Sequence, residues 1–354
     1  MSISVAILGA SGAVGGMLAT QILRSDLLEP GDRLQLVGHG ASSSEEKLLG
    51  TRIDLLDAFD EERVEIEMVP NIGDVDADIV VVTAGATLSP EVKTRRDLGA
   101  QNRPIFEHIA EECANSLPDA LFIVVSNPVE LGVEILAARV DCKRVMGMGA
   151  EQDSLRFARA IARDLGISRR YVRASVLGEH GQAMVPVWSA VELLLANPSL
   201  HDSLHDLRER AGDVPLQERV ARLQAEVVHL LEAHQIPEAY EVARRALPDA
   251  RIFVEPFITL QCMHSTPNAT ANATLHCLEA VLANDSRRIH GQVLLEGEVL
   301  GMHGVCGVPI ALSRTGWQSE GVDGLAASEK EMLVQSAKSI REFTSGILSR
   351  GAED

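Results

Sequence analysis

Two short motifs place a histidine, a carboxylate and an arginine at spacings that suit proton transfer. The motif GEHG at residues 178–181 contains His180 at the end of a predicted strand, and a predicted helix upstream carries Asp153 and Arg156. Because residues three apart share a helix face, Asp153 and Arg156 should point the same way. A carboxylate can hold one imidazole nitrogen and leave the other to exchange a proton with a substrate oxygen, while an arginine can grip a substrate carboxylate with two hydrogen bonds. A lone strand-end histidine is more often structural, so the assignment of His180 as the acid/base depends on its two companions.

A glycine-rich segment follows the first predicted strand. In the sequence GASGAVG at residues 9–15, Gly9 would permit a tight turn, Gly12 would admit a pyrophosphate close to the backbone, and Gly15 would let a helix pack on the strand. The N-terminus of that helix would offer N–H groups to phosphate. A plain strand-to-helix turn is the alternative, but the position on the first strand of a βαβ run favours a dinucleotide-binding loop.

The residues after the second predicted strand bear on which dinucleotide is bound. A carboxylate at this point would accept hydrogen bonds from the ribose of NAD and repel the 2′-phosphate of NADP. The sequence has Gly38 there and continues with His39 and Ser42, which can donate to a phosphate. These residues can equally form only a loop and a helix cap. We therefore expect the cofactor to be NADP or NAD, with NADP favoured.

The first 150 residues alternate short runs of β-branched residues with helical stretches, which is typical of βαβ units in a parallel sheet. Six strands with interleaved helices indicate an α/β fold with a doubly wound sheet of the Rossmann type. The predicted strands are Ile3–Leu8, Leu34–Gly38, Val64–Met68, Asp78–Thr83, Ala120–Val125 and Arg144–Gly147.

Beyond this point the pattern of the sequence changes. We expect a dinucleotide-binding domain at residues 1–149 and an α+β substrate domain at residues 150–354, with the active site in the cleft between them. The elements predicted in the second domain are helices over Glu151–Leu165, Leu216–Leu231 and Ser328–Leu348, the last opened by a capping box at Ser328, and a strand over Val172–Gly178.

The composition restricts the compartment and the partners. A formal net charge of −19 over 354 residues would repel a phosphate backbone, which argues against nucleic acid and anionic membranes as partners. No apolar run is long enough to suggest a membrane span, and the N-terminus lacks the basic segment of a targeting signal. The five cysteines form no C-x-x-C pair, which fits reduced thiols and a cytoplasmic protein without a metal site.

Six motifs occur along the chain in one order. They are the glycine loop at residues 9–15, VTAGA at 82–86, RRDL at 95–98 together with Asn102, SNPV at 126–129, DSLR at 153–156 and GEHG at 178–181. By these motifs the chain resembles the lactate/malate dehydrogenase family over nearly its whole length.

The resemblance implies hydride transfer between a nicotinamide cofactor and a small 2-hydroxy acid, with His180 as acid/base. It also implies that Arg95 lies on a mobile loop, closes over the substrate and polarises the reacting C–O bond. The family's habit of pairing implies a homodimer or homotetramer. The other residues that the resemblance implies are Asn127 and Thr266 for the substrate, and Val125, Asn127 and Asn102 for the cofactor.

Two departures from the family pattern leave the substrate open. Malate enzymes of this family have an arginine where this chain has Leu88, and lactate enzymes have a glutamine there. The loop is one residue longer than usual, so Lys93 or Arg96 can occupy the missing role. Malate is the first expectation, and a lactate-like or branched hydroxy acid is the second. The stretch at residues 234–264 is longer than in the family. It contains Cys262 and His264, with His276 and Cys277 nearby, and the spacing of these four possible metal ligands matches no known site.

Two other classes of protein share a similar nucleotide domain. An NAD-dependent glycosidase would use a metal held by a cysteine and a histidine, but the segment Ser126–Pro128 has no cysteine at that place. A non-catalytic nucleotide-binding protein is expected to have lost its proton-transfer group or its anchor. This chain retains all four candidate residues for these roles, which favours an enzyme: His180, Asp153, Arg156 and Arg95.

Overall fold

The computed structural model describes residues 2–38, 42–59, 63–86, 94–263, 265–284 and 287–349, with the side chains of Ser42 and Ser43 left out. Two predicted site residues, His39 and Leu88, therefore lie outside the described residues, and so does the side chain of Ser42.

In the residues that the structure describes, the first part of the chain contains six parallel strands. They are β1 Ser4–Leu8, β2 Arg33–Val37, β3 Glu65–Val69, β4 Ile79–Val82, β5 Leu121–Val124 and β6 Val145–Gly147. Each end lies within one residue of its predicted position. Their order in the sheet is β3-β2-β1-β4-β5-β6. This is the Rossmann-type order, and it confirms the predicted α/β class.

The strands β1, β4 and β5 are buried along their whole length. Their sequences SVAIL, IVVV and LFIV contain almost only apolar residues, as expected when helices cover both faces of a parallel sheet. Because the carboxyl ends of these parallel strands meet at one edge, the segments that follow them are brought together there.

The described residues of the second part of the chain add five antiparallel strands to the same sheet. They are β7 Val172–Gly178, β8 Met184–Leu193, β9 Arg287–Glu296, β10 His303–Ser313 and β11 Gly316–Ser319. The strand β9 lies beside β6, with Gln292 opposite Gly147. The strand β10 meets β7 where Gly307 faces Gly178, which continues the sheet through the second part of the chain.

Eleven helices lie within the described ranges. They are α1 Ala13–Arg24, α2 Ser42–Phe59, α3 Arg95–Ser116, α4 Val129–Ala137, α5 Gly149–Asp164, α6 Pro198–Gly212, α7 Leu216–Glu232, α8 Ile236–Arg245, α9 Pro248–Met263, α10 Pro267–Ala283 and α11 Ala327–Leu348. Helices α5 to α9 enclose an apolar core of their own against β7 and β8. With its antiparallel strands, this region confirms the α+β class of the second part.

The predicted capping box at the start of the last helix is wrong in register. The helix α11 begins at Ala327, and the carboxylate of Glu329 accepts the backbone N–H of Ala326 at 2.9 Å. Ser328 thus lies inside the first turn, because Glu329 satisfies the free N–H group of Ala326, three residues before it.

No helix in the described ranges is long and apolar enough to cross a membrane. Across the same ranges, no group of three or more His, Cys, Asp or Glu side chains is placed to hold a metal ion. Of the four possible ligands noted in the sequence, His264 lies outside the described residues.

Candidate active site

His180 lies two residues after Gly178, the last residue of β7. The backbone of Gly178 has a φ of 80°, a conformation that favours glycine. The imidazole ring then packs against the start of α5, where a Cβ at Gly149 would lie only 2.5 Å from its Cγ. Glycine at this position therefore allows the ring of His180 to approach the helix.

Asp153 connects the histidine to the arginine. Its Oδ2 lies 2.6 Å from Nδ1 of His180, and Nη1 of Arg156 donates to its Oδ1 at 2.8 Å. Burial would raise the pKa of Asp153, but the charge and hydrogen bond of His180, and then those of Arg156, lower the pKa below its ordinary value. The ionised carboxylate fixes the ring through Nδ1, which leaves the Nε2 side for exchange with a substrate.

A cavity of about 330 Å³ lies beside these three side chains. Asn127 and Val125 from the end of β5 and Thr266 before α10 also contribute to its walls. The structure thus brings six of the predicted substrate, cofactor and catalytic residues to one cavity from four separate segments of the chain. The arrangement can exchange a proton at His180 and hold a carboxylate at Arg156.

The glycine loop between β1 and α1 fits a dinucleotide phosphate. Gly9 has a φ of 85°, and a Cβ there would lie 2.8 Å from Cα of Ala84. A Cβ at Gly15 would lie 2.5 Å from the carbonyl oxygen of Gly9, so the helix can pack this closely only without a side chain. Gly12 is the N-cap of α1, and no described side chain caps it. The first N–H groups of α1 are therefore available to an anion.

A buried hydroxyl near the start of α2 lies beside the end of β2 and lacks a partner among the described residues. Gly38 donates its backbone N–H to Val69, and a Cβ at Gly38 would lie 3.2 Å from Oγ of Ser44. That hydroxyl is buried and has no hydrogen-bond partner among the described residues. Buried hydroxyls are normally paired, so a ligand group at this point would satisfy it. The sequence analysis named Ser42 as the serine donor of this segment and did not single out Ser44.

Asn102 lies behind the cavity and is not among the described residues that line it. Its Oδ1 accepts the backbone N–H of Ala86 at 2.6 Å, and its Nδ2 donates to the carbonyl oxygen of Asn127 at 2.6 Å. Asn102 therefore holds the two segments that border the cavity, and does so with both ends of its amide.

Arg95 is the first residue of α3, and it too is not among the described residues lining the cavity. Its Nη2 donates to Glu130 at 2.6 Å, its Nη1 pairs with Glu179, and its guanidinium lies 4.5 Å over the ring of Phe343. Arg95 is thus held by two carboxylates, and one of them, Glu179, belongs to the GEHG motif.

Sequence reasoning also missed Glu130, whose side chain is fully buried. It follows the SNPV motif, and its Oε1 accepts the backbone N–H of His180 at 2.6 Å. A carboxylate in the first turn of the mostly apolar α4 was the available signal, since buried charges are rarely left unpaired.

A further missed feature is the apolar wall that α9 contributes to the cavity. The signal was present as an apolar face at helical spacing, but the sequence did not show that this face borders the site. The residues of this wall are Ile252, Phe253, Pro256, Phe257 and Leu260.

Comparison with known proteins places the chain next to 2-hydroxy acid dehydrogenases. Residues 3–147 match the family model of the lactate/malate dehydrogenase NAD binding domain, and residues 151–229 match that of the lactate/malate dehydrogenase alpha/beta C-terminal domain. Together the two matches cover more than half of the chain.

Similar proteins span nearly the same length. The malate dehydrogenase of Trichormus variabilis is 31% identical over 343 residues, which cover 96% of this chain and 92% of the relative. The L-2-hydroxycarboxylate dehydrogenase (NAD(P)(+)) of Methanocaldococcus jannaschii is 28% identical over 351 residues, covering 96% and 97%. The structure of the malate dehydrogenase from Aeropyrum pernix matches with a TM-score of 0.74 and 25% identity over 97% of each chain.

Proposed function

Because the chain belongs to the lactate/malate dehydrogenase family, and is thereby an NAD-dependent 2-hydroxy acid dehydrogenase, we propose that it interconverts a small 2-hydroxy acid and its 2-oxo acid at the cavity beside His180. The observation that carries this assignment of the site is the 2.6 Å contact between Asp153 and His180, with Arg156 bonded to the same carboxylate. Each of the six motifs that suggested the family contributes at least one residue to the walls of this cavity.

In the oxidation direction, Nε2 of His180 takes the hydroxyl proton of the substrate while the C2–H bond breaks with its electron pair and C2 becomes a carbonyl carbon. The nicotinamide cofactor, when bound, supplies the acceptor for that hydride. Asp153 holds the ring through Nδ1 and stabilises the imidazolium that forms. In the reverse direction His180 returns the proton to the carbonyl oxygen.

Arg156 is the proposed anchor of the substrate carboxylate. Its guanidinium carries five N–H donors, of which Asp153 engages Nη1. The remaining donors can form parallel hydrogen bonds to a carboxylate and so hold C2 in a fixed place. Arg95 is proposed to polarise the reacting C–O bond, which requires it to leave its partners Glu130 and Glu179.

Similarity alone makes malate the first candidate substrate, since malate dehydrogenases are prominent among the relatives. A lactate-like or branched 2-hydroxy acid is the second candidate. Leu88 at the specificity position and the apolar wall on α9 favour that alternative. Asn127 and Thr266 are proposed to contact either substrate from the cavity wall.

The family assigns an NAD-binding domain, and we propose that the cofactor can also be NADP, which we favour. Gly38 brings no carboxylate to repel a 2′-phosphate, and the unpaired hydroxyl of Ser44 lies beside it. One relative carries NAD(P)(+) in its name. His39 and Ser42 remain proposed donors to that phosphate.

We further propose a domain boundary at residue 149, a homodimer or homotetramer, and a cytoplasmic location. The two family models meet between residues 147 and 151, which supports the boundary. Leu49 and Ile53 are 47% and 49% exposed on α2, which supports a contact with a second copy. All five cysteines are free, which suits a reducing compartment.

The proposed function is tested with the purified full-length protein. Oxidation of NADH and of NADPH is followed by absorbance with oxaloacetate, pyruvate and larger 2-oxo acids as acceptors. We expect turnover with at least one of these acids. Absence of turnover with every acid and both cofactors would contradict the assignment.

A further inference from the structure

We propose that this active site selects 2-hydroxy and 2-oxo acids whose side chain is branched or aromatic and apolar, rather than acids with a second carboxylate. This inference rests on the proposed function, and it assigns specificity to one face of α9. That helix lies at residues 248–263, beyond the segment matched by the family model of the C-terminal domain.

The wall that α9 presents to the cavity is continuous and apolar. Its members Phe253, Pro256, Phe257 and Leu260 occur at intervals of three, one and three residues, which places them on one stripe of the helix. Leu98 and Met184 extend the apolar surface from α3 and from the start of β8.

Three side chains of this stripe keep part of their surface open, while Phe253 at its start is buried in the apolar core. Phe257 is 37% exposed, and Pro256 and Leu260 are partly buried. Ile258, on another side of the same helix, is completely buried in the apolar core of the second domain. The stripe therefore offers apolar surface that a substrate side chain can remove from water, which is favourable in proportion to the area covered.

The charges of the cavity point to the same class of substrate. Among the described residues that line it, the cationic side chains are Arg156 and His180, and both belong to the reacting end of the site. Asp153 is ionised and is committed to these two residues. A second substrate carboxylate against the α9 wall would lose its water without gaining a cation from the described lining residues, which is costly.

The test compares kcat/KM of the purified protein for pyruvate, oxaloacetate, 4-methyl-2-oxopentanoate and phenylpyruvate, with NADH and NADPH. We expect 4-methyl-2-oxopentanoate or phenylpyruvate to exceed pyruvate by roughly tenfold to 200-fold, the range that added apolar groups give in an apolar pocket. We expect oxaloacetate to fall below both. If oxaloacetate has the highest kcat/KM, the inference is wrong while the proposed function stands. If none of the four acids is turned over, the proposed function fails and the inference fails with it.

Variants of α9 test whether this face is responsible. Phe257→Ala and Leu260→Ala should each lower the ratio of kcat/KM for 4-methyl-2-oxopentanoate over pyruvate by roughly tenfold. Leu260→Arg should raise the kcat/KM for oxaloacetate relative to pyruvate by adding a cation to the wall. Val228→Ala, at an exposed valine on α7, is the matched control and should leave both ratios unchanged. Thermal unfolding of each variant checks that it is folded, and unchanged ratios in all three folded α9 variants would overturn the inference.

Discussion

The carboxylate of Glu130 accepts a hydrogen bond from the backbone N–H of His180 at 2.6 Å. Its second oxygen accepts from Arg95 at the same distance, and the side chain is fully buried. The backbone of the histidine is therefore held by one carboxylate and its ring by another, Asp153. This arrangement couples the start of α4 and the start of α3 to the position of the proposed catalytic ring.

Glu130→Gln should lower the free energy of unfolding by about 1.5 to 3 kcal/mol, because an amide nitrogen would replace one of two acceptors that serve His180 and Arg95. The measurement is urea unfolding of both proteins. Glu107→Gln is the control, since it removes the half-exposed pair with Arg103 and should cost at most about 1 kcal/mol. Equal small losses in the two variants would show that the bonds of Glu130 contribute little.

His180→Asn should reduce kcat by roughly 10² to 10⁴, the usual contribution of a general acid/base, because the amide cannot exchange the proton. Cofactor affinity, measured by fluorescence titration with NADH, should stay close to that of the wild type. His229→Asn, at an exposed histidine on α7, is the control and should leave kcat unchanged. Full turnover in the His180 variant would remove this residue from the mechanism.

Arg156→Lys should raise KM for the 2-oxo acid by roughly tenfold to a hundredfold. An ammonium cannot replace a planar, two-pronged contact, and a hydrogen bond to a charged group is worth about 1.5 to 3 kcal/mol. Arg159→Lys changes an exposed arginine on the same helix that pairs with Glu255, and it should leave KM unchanged. A similar KM in both variants would place the anchor elsewhere.

The order of elements and the reacting residues could be predicted from the sequence because local patterns encode them. Strand bounds follow from runs of apolar residues, and the spacing of Asp153 and Arg156 alone places them on one helix face. The contact of Glu130 with the backbone of His180 joins residues 50 positions apart, and no local pattern encodes such an approach. The helix α9 is a second case. The spacing of its apolar residues can be read from the sequence, but its position beside the cavity depends on tertiary packing.

Protonation of Glu151 should destabilise the fold at low pH. Burial would raise its pKa, but hydrogen bonds and charge from His276 and His290 lower it to about 2 from an ordinary value of 4.5. A depressed carboxyl pKa stabilises the fold above the unfolded value, and this contribution of roughly 3 kcal/mol is lost as the pH falls from about 4.5 to about 2. Urea unfolding at about pH 5 and about pH 3 should show a smaller drop for Glu151→Gln than for the wild type. The same drop in both proteins would mean that Glu151 does not carry this dependence.

Cofactor preference should depend on the residue at position 38, because a carboxylate there would bind the ribose of NAD and repel the 2′-phosphate of NADP. A Cβ at Gly38 would lie 2.6 Å from Cδ1 of Leu48, so that side chain must move in Gly38→Asp. The double variant with Leu48→Val makes room, and Leu48→Val alone is the control. In the single variant Gly38→Asp and in the double variant, the ratio of kcat/KM for NADPH over NADH should fall by roughly tenfold or more, the equivalent of about 1.5 kcal/mol. A wild type that strongly prefers NADH, or an unchanged ratio in the double variant, would place the ribose away from the end of β2.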